Sequence, residues 1–316
     1  MRAVPKRRYA VLAVAAAMVA VPLSTSPASA ATAQADLNGD WAPFSRCPVD
    51  DPAMLAADGE DLVATCVSSV SPSGSIKLGS TEATTGVNDM QFGVIQDTAT
   101  GAFTVVPPAG GALIGAPTEI PGGLLGLMCP ENDIPVISDL CDSITNGSLN
   151  KVTATVESAG TPTEFNLTSG LVTGKPIVKL PIRIRLENPL LGSKCYIGSA
   201  SDPVILRPQN TTAPAVAVQR FDADGTRDTA GAMLRFALTG NDQGDSTFAV
   251  PKATGCGLGG SLSWAVNLKT GLPSAAGNNN LVLNNASTYS GGLTAPGLVL
   301  PNAGKVLSQY WHSAAN

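Results

Sequence analysis

Residues 177–208 read IVKLPIRIRLENPLLGSKCYIGSASDPVILRP, and this stretch decides the fold class. Leu180, Ile182, Ile184 and Leu186 fall on one face of an extended chain, and Arg183, Arg185 and Glu187 on the other. A period of two marks a strand with one buried and one wet face. Pro181 has no N–H to give a ladder, so that end of the strand belongs at an edge or a bulge. Asn188-Pro189 ends the run. Cys195 follows, and residues 203–207 (PVILR) read as the returning strand.

Similar runs lie on both sides. Residues 62–70, 75–78, 90–95, 102–106, 152–157, 164–168, 216–221, 234–238, 247–250 and 262–268 read as strands, and 278–283 as an edge strand. The 33 glycines and 24 prolines suit many short strands joined by turns and stay below the disordered regime. No fixed-period repeat and no βαβ rhythm is visible. The expected fold is therefore all-β, an antiparallel sandwich or barrel-like body with a short helix and long loops. The helix is expected at 134–144, where Ile134, Ile137, Leu140, Cys141 and Ile144 recur at helical spacing.

Residues 1–30 have the form of a secretory signal peptide: Arg2, Lys6, Arg7 and Arg8, then an apolar run, then Ala28-Ser29-Ala30. Arg7-Arg8 permits a twin-arginine reading. The expected division is signal peptide 1–30 and a secreted β-rich region 31–316, with two β-subdomains at 36–145 and 150–300. The formal net charge is −5, and loss of the basic leader makes the remainder more acidic. That balance argues against nucleic acid and against an anionic membrane as partners. No transmembrane anchor is expected. Residues 300–304 (LPNAG) share letters with a sortase signal, but no apolar span and basic tail follow. Localisation is expected to be extracellular, with at most a loose hold on the cell wall.

Six cysteines in an exported chain favour three disulfides, for which 15 connectivities exist. Sequential pairing closes the shortest loops: Cys47–Cys66, Cys129–Cys141 and Cys195–Cys256. Zinc is the rival, weakened by the lack of any CxxC and by a single histidine, His312.

Three motifs in this chain, LPIRIRLENPLLGSKCYIGSASDPVIL, DSTFAVPKATGCG and GLPSAAGNN, resemble in sequence and order those of secreted actinobacterial proteins of unknown function. The resemblance runs from about residue 152 to 285. It implies an exported extracellular protein, supports the Cys195–Cys256 pairing, and supplies no catalytic residue.

Chemistry is hard to find. A serine triad needs a base to take the serine proton, and His312 stands near the C-terminus; no GxSxG occurs. Residues 255–260 (GCGLGG) match a dinucleotide fingerprint in letters, but a strand-like run follows them, where the fingerprint needs a helix. Asp222, Asp224 and Asp228 gather hard oxygen ligands around Gly225, so a structural calcium ion is the one cofactor the sequence suggests. The competing reading is an Asp-Gly turn with solvated acids. Glu82, Asp89, Glu157, Glu164, Glu187, Asp242 and Asp245 are too many to name a glycosidase pair. Trp264 reads as a core residue. The stretch 107–135 carries almost no charge, and with Leu113, Ile114, Leu124, Leu125, Leu127 and Met128 it is either a loop packed over the end of the sandwich and stapled by Cys129–Cys141 or a contact surface. The function expected is a non-enzymatic extracellular β-protein, a surface, coat or binding module. The alternatives are a carboxylate-based glycoside hydrolase and a module with a cell-envelope or carbohydrate partner.

Overall fold

Leu180–Glu187 is a strand, and its side chains alternate as the sequence predicts: Leu180, Ile182, Ile184 and Leu186 buried, Pro181, Arg183 and Arg185 half-buried, Glu187 exposed. The computed structural model describes residues 36–129, 148–294 and 300–316. The strands in chain order are β1 (Leu62–Ser71), β2 (Ser73–Leu78), β3 (Thr81–Thr85), β4 (Asn88–Asp97), β5 (Phe103–Val106) and β6 (Leu113–Gly115). Then come β7 (Thr118–Glu119), β8 (Thr153–Ser158), β9 (Leu180–Glu187), β10 (Tyr196–Ile197), β11 (Val204–Leu206) and β12 (Gln209–Asn210). The last four are β13 (Ala215–Phe221), β14 (Met233–Asp245), β15 (Ala253–Thr254) and β16 (Asn280–Thr294). All join one sheet whose main path is β12-β14-β16-β1-β4-β6-β8-β9-β10-β15. The fold is all-β and disulfide-stapled.

The sheet is shaped by a corner. β16 gives residues 280–284 to β2 and residues 287–291 to β1. Between them Asn285 adopts φ 49°, a left-handed conformation that asparagine tolerates better than most residues. At the same level β1 passes into β2 through Pro72, and β14 carries irregularities around Gly240, at φ 73°. Three neighbouring strands thus bend together. Bulges and glycine kinks are the usual way to turn a sheet sharply. The bend swings the β2–β3 hairpin across to face β8 and β9.

Three bodies of core result: a small one joins Val67, Phe92 and Val94 to Phe165, Ile177 and Val178, and two are larger. One lies inside the fold of the sheet and joins Ile76, Leu78 and Leu281 to Leu180, Ile182, Ile184, Leu186, Val204 and Leu206. Helices Gly123–Met128 and Ser263–Thr270 close its end with Leu124, Leu127, Ala265 and Val266. The other gathers Trp41, Phe44, Met54, Phe221 and Leu307 beneath β1 and β14. It packs the 3-10 turn Gly39–Phe44 against the C-terminal helix Ala303–Ser313. Phe44 lies so close to β16 that a Cβ on Gly291 would stand 2.6 Å from its ring.

Cys47–Cys66 ties the N-terminal segment to β1, and Cys195–Cys256 ties the loop before β10 to the turn after β15. Cys129 is also disulfide-bonded. Its expected partner Cys141 lies outside the described residues, as do the expected helix at 134–144 and the signal peptide.

Several expectations need correction. The described residues form one compact unit, and the division at about residue 150 fails because β1 pairs with β16, and β6 with β8. Residues 278–283 are not an edge, since β16 lies between β14 and both β1 and β2. Residues 263–268 are helical: Leu262, Trp264, Val266 and Leu268 fit a period of two, but Leu262, Ala265 and Val266 fit one of 3.6, and the Cys256 disulfide turns the chain sharply just ahead of them. Residues 164–168 enter a 3-10 turn, and 247–250 keep only a bridge from Val250 to Ser274. Pro181 sits where β8 runs out at Ser158, so its missing N–H breaks no ladder; its carbonyl accepts from Ala159 at 2.9 Å.

Candidate functional site: an apolar slot inside the folded sheet

The corner leaves space between its two walls. One wall is Ile76 and Leu78 of β2, Ala83 and Thr85 of β3, and Leu281 and Leu283 of β16. The other is Ala154 and Val156 of β8 with Leu180, Ile182, Ile184 and Leu186 of β9. Two voids of about 50 Å³ and about 40 Å³ lie between them and share Ile76, Thr85 and Val156. Both are lined mainly by hydrocarbon, and a void of that character stays dry when empty.

Polar groups around the larger void are already engaged, whereas Thr81, Thr84 and Thr118 beside the smaller one show no side-chain hydrogen bond among the described residues. Ser69 bonds Thr288 at 2.8 Å, and Ser71 donates to the carbonyls of Ser73 and Asn284. Asn88 donates to Thr85 Oγ1, Gln243 to Asn210 Oδ1, and Thr270 to the Val266 carbonyl. A sugar would find these hydroxyls and amides engaged, whereas a hydrocarbon chain needs only the apolar faces.

The slot has a weak side. Among the described residues β3 pairs with β2 alone, and its far edge lies beside β7 without joining its ladder. Its residues Thr81, Ala83 and Thr85 are only half-buried, as are all six residues of β8. The hairpin is thus the wall held by fewest backbone bonds, and its separation from β7 breaks none of them. At a cavity cost of about 24 cal/mol per Å³, each empty void costs roughly 1 kcal/mol, a deficit that an occupant would recover.

The sequence-derived candidates lie elsewhere. Asp222, Asp224 and Asp228 share one turn, yet Asp224 Oδ1 accepts from Thr226 N and Asp228 Oδ1 from Ala230 N. Desolvation and the neighbouring Asp228 and Asp224 carboxylates push Asp222 up. Among the described residues no three His, Cys, Asp or Glu side chains are grouped to hold a metal.

His312 Nε2 lies 3.0 Å from both oxygens of Asp50, and Ser308 Oγ donates to the same carboxylate at 2.7 Å. Serine and histidine thus compete for one acid, so the imidazole is not placed to take the serine proton. Burial opposes ionisation of Asp50, but the Ser308 and His312 contacts outweigh it and hold the carboxyl below its usual value.

The acids are mostly spent on neighbours. Asp89 pairs with Arg46, Glu157 with Arg183 and Arg185, Glu164 with Lys179 and Arg207, and Glu187 with Arg185. Asp242 accepts from Asn285 N, Asp245 from Arg207 N and Thr247, and Glu82 stands exposed on β3. Among the described residues no carboxylate lines the slot itself.

A helix does follow residues 255–260, contrary to the sequence reading. The two-residue β15 ahead of them runs antiparallel to β10, so the parallel strand–turn–helix setting of a dinucleotide site is missing. In the charge-poor stretch from residue 107, Leu113, Leu124, Leu127 and Met128 are buried, which is the packed-loop reading; Ile114 remains exposed. Trp264 is 49% exposed on its helix and not in the core.

The slot escaped the sequence reading because its walls meet only after the corner forms. The one local signal was small residues at every second position of β3, Thr81, Ala83 and Thr85, in a run too polar to register as a strand. Comparisons with family models, curated proteins and solved structures return no match.

Proposed function

We propose that this chain is an extracellular, non-enzymatic binding module that takes a slender apolar chain into the slot between β2–β3 and β8–β9. The supporting observation is the pair of neighbouring voids, which share three lining residues and are apolar on both walls, beside a β3 edge that joins no further strand among the described residues. Of the surface, coat or binding roles that the composition allows, the slot favours binding. An extracellular setting is supported by the leader-like residues 1–30 and by disulfides that persist in oxidising compartments. Among the described residues no helix is long and apolar enough to cross a membrane.

A hydrolytic role draws no support from the placement of His312, and a sugar-binding role little from walls lined mainly by hydrocarbon. The test is thermal unfolding with straight-chain carboxylic acids of increasing length beside soluble oligosaccharides. A ligand at a hundred times its Kd stabilises by about 2.7 kcal/mol. The melting point should rise with chain length and stay level with sugars. A rise with sugars alone, or turnover of esters or glycosides by the purified chain, would end the proposal.

A further inference from the structure

One buried polar group is left over at the corner. β14 carries a bulge around Gly240, and an extra residue there shifts the alternation of the strand. Leu238 before it and Asn241 and Gln243 after it therefore line one small void, together with Asn210 and Thr288. Asn210, Asn241 and Gln243 are all buried. The direction of each amide is fixed from one end. The Gly170 carbonyl can only accept, so Asn210 Nδ2 donates to it, at 2.7 Å. Asn210 Oδ1 then accepts from Asn241 Nδ2 at 2.8 Å and from Gln243 Nε2 at 3.3 Å. That leaves Asn241 Oδ1, which is buried and, among the described residues, without a hydrogen-bond partner. Such an acceptor is destabilising until a donor reaches it.

The small void continues the row formed by the two slot voids. Gln243 lines both it and the larger slot void, and Thr288 on its wall bonds Ser69 on the wall of the other. Its volume is about 10 Å³, room for one water-sized group. The row thus runs from hydrocarbon at Leu127 and Ile184 to a single spare acceptor at Asn241. Among the described residues no lysine or arginine lines any of the three voids, and the sequence of residues 130–147 and 295–299 contains neither. A carboxylate head would be buried there without a counter-charge, at a large cost. Its oxygens would also face the Asn241 oxygen, acceptor against acceptor.

We propose that the occupant of the slot is an uncharged amphiphile, a straight chain ending in a hydroxyl, whose O–H donates to Asn241 Oδ1. This rests on the slot reading and adds a head group to it. The hydroxyl oxygen fills the small void, the chain passes Gln243 and Ser69, and its tail lies between Ile76 and Val156.

The test is titration calorimetry at neutral pH of the chain lacking residues 1–30 with three ligands of equal length: a primary alcohol, its methyl ether and the matching carboxylic acid. The alcohol should bind at least about tenfold more tightly than the ether, which offers no donor, and more tightly than the ionised acid. In Asn241→Ala the alcohol should lose that lead while the ether keeps its affinity. Should that variant fail to fold, the comparison on the natural chain decides alone. Ether or acid binding as tightly as the alcohol would overturn the head-group assignment and leave the slot standing, because water alone would then meet Asn241. Binding by none of the three would end both readings.

Discussion

Ala83→Val is the sharpest test of the slot's geometry. Ala83 lies on β3, half-buried, with its methyl group toward the void of about 40 Å³. Valine adds two carbons there and suits a strand. If those carbons occupy most of the void, the recovered cavity term is about 1 kcal/mol. For a chain of this size that is a rise in melting point of roughly 2–4 °C. Strand propensity alone could add a similar amount, so a control is needed. Glu82→Val changes the neighbouring exposed position, which lines neither void, and the difference between the variants isolates the filling. Urea unfolding of both, with the slope unchanged, gives the free energies. The filled variant should also lose its response to straight-chain acids. A loss of stability greater than about 1 kcal/mol, as in an overpacked core, would show that the space is not there and that the argument fails.

Three other outcomes follow from the same geometry. Cys195–Cys256 joins residues 61 apart and Cys47–Cys66 residues 19 apart, for which loop entropy gives about 4 and about 3 kcal/mol; calorimetry of the double alanine variants should rank them in that order, and the reverse ranking would contradict it. Gly304→Ala should destabilise by about 2 kcal/mol, although alanine is the better helix former, because its Cβ would stand 1.9 Å from the Met54 carbonyl; a stabilised variant would mean that the C-terminal helix does not dock there. Asp50 is held below its usual pKa against burial by Ser308 and His312, so its contribution is present above the unfolded value near pH 4 and is lost as pH falls through the folded value. Exposure limits that contribution to under about 1 kcal/mol. The stability gap between the natural chain and Asp50→Asn should therefore close in acid, and a gap independent of pH would refute the assignment.

Much of the architecture is written locally. The alternation of residues 180–187 gives β9 and its buried face, because a strand buried on one side needs only a period of two. The disulfides Cys47–Cys66 and Cys195–Cys256 are the sequential pairs that close the shortest loops. Less local features were hidden. Pro72, Gly240 and Asn285 each read as an ordinary turn residue, and only the register that aligns them across three strands makes a corner. Without the corner, β16 looks like an edge and the slot has one wall. Residues 262–268 satisfy two periods at once, and the choice between them falls to the disulfide-held turn before them. That choice also reverses Trp264: as a strand residue it points into the core, as a helix residue it points to solvent.

The most direct test of the slot is a crystal structure of the chain soaked with a terminally brominated straight-chain acid, read by anomalous scattering. The account predicts bromine between Ile76 and Val156, with the signal gone in Ala83→Val. Bromine confined to the outer surface, with the space between β3 and β8 still empty at saturating ligand, would contradict it.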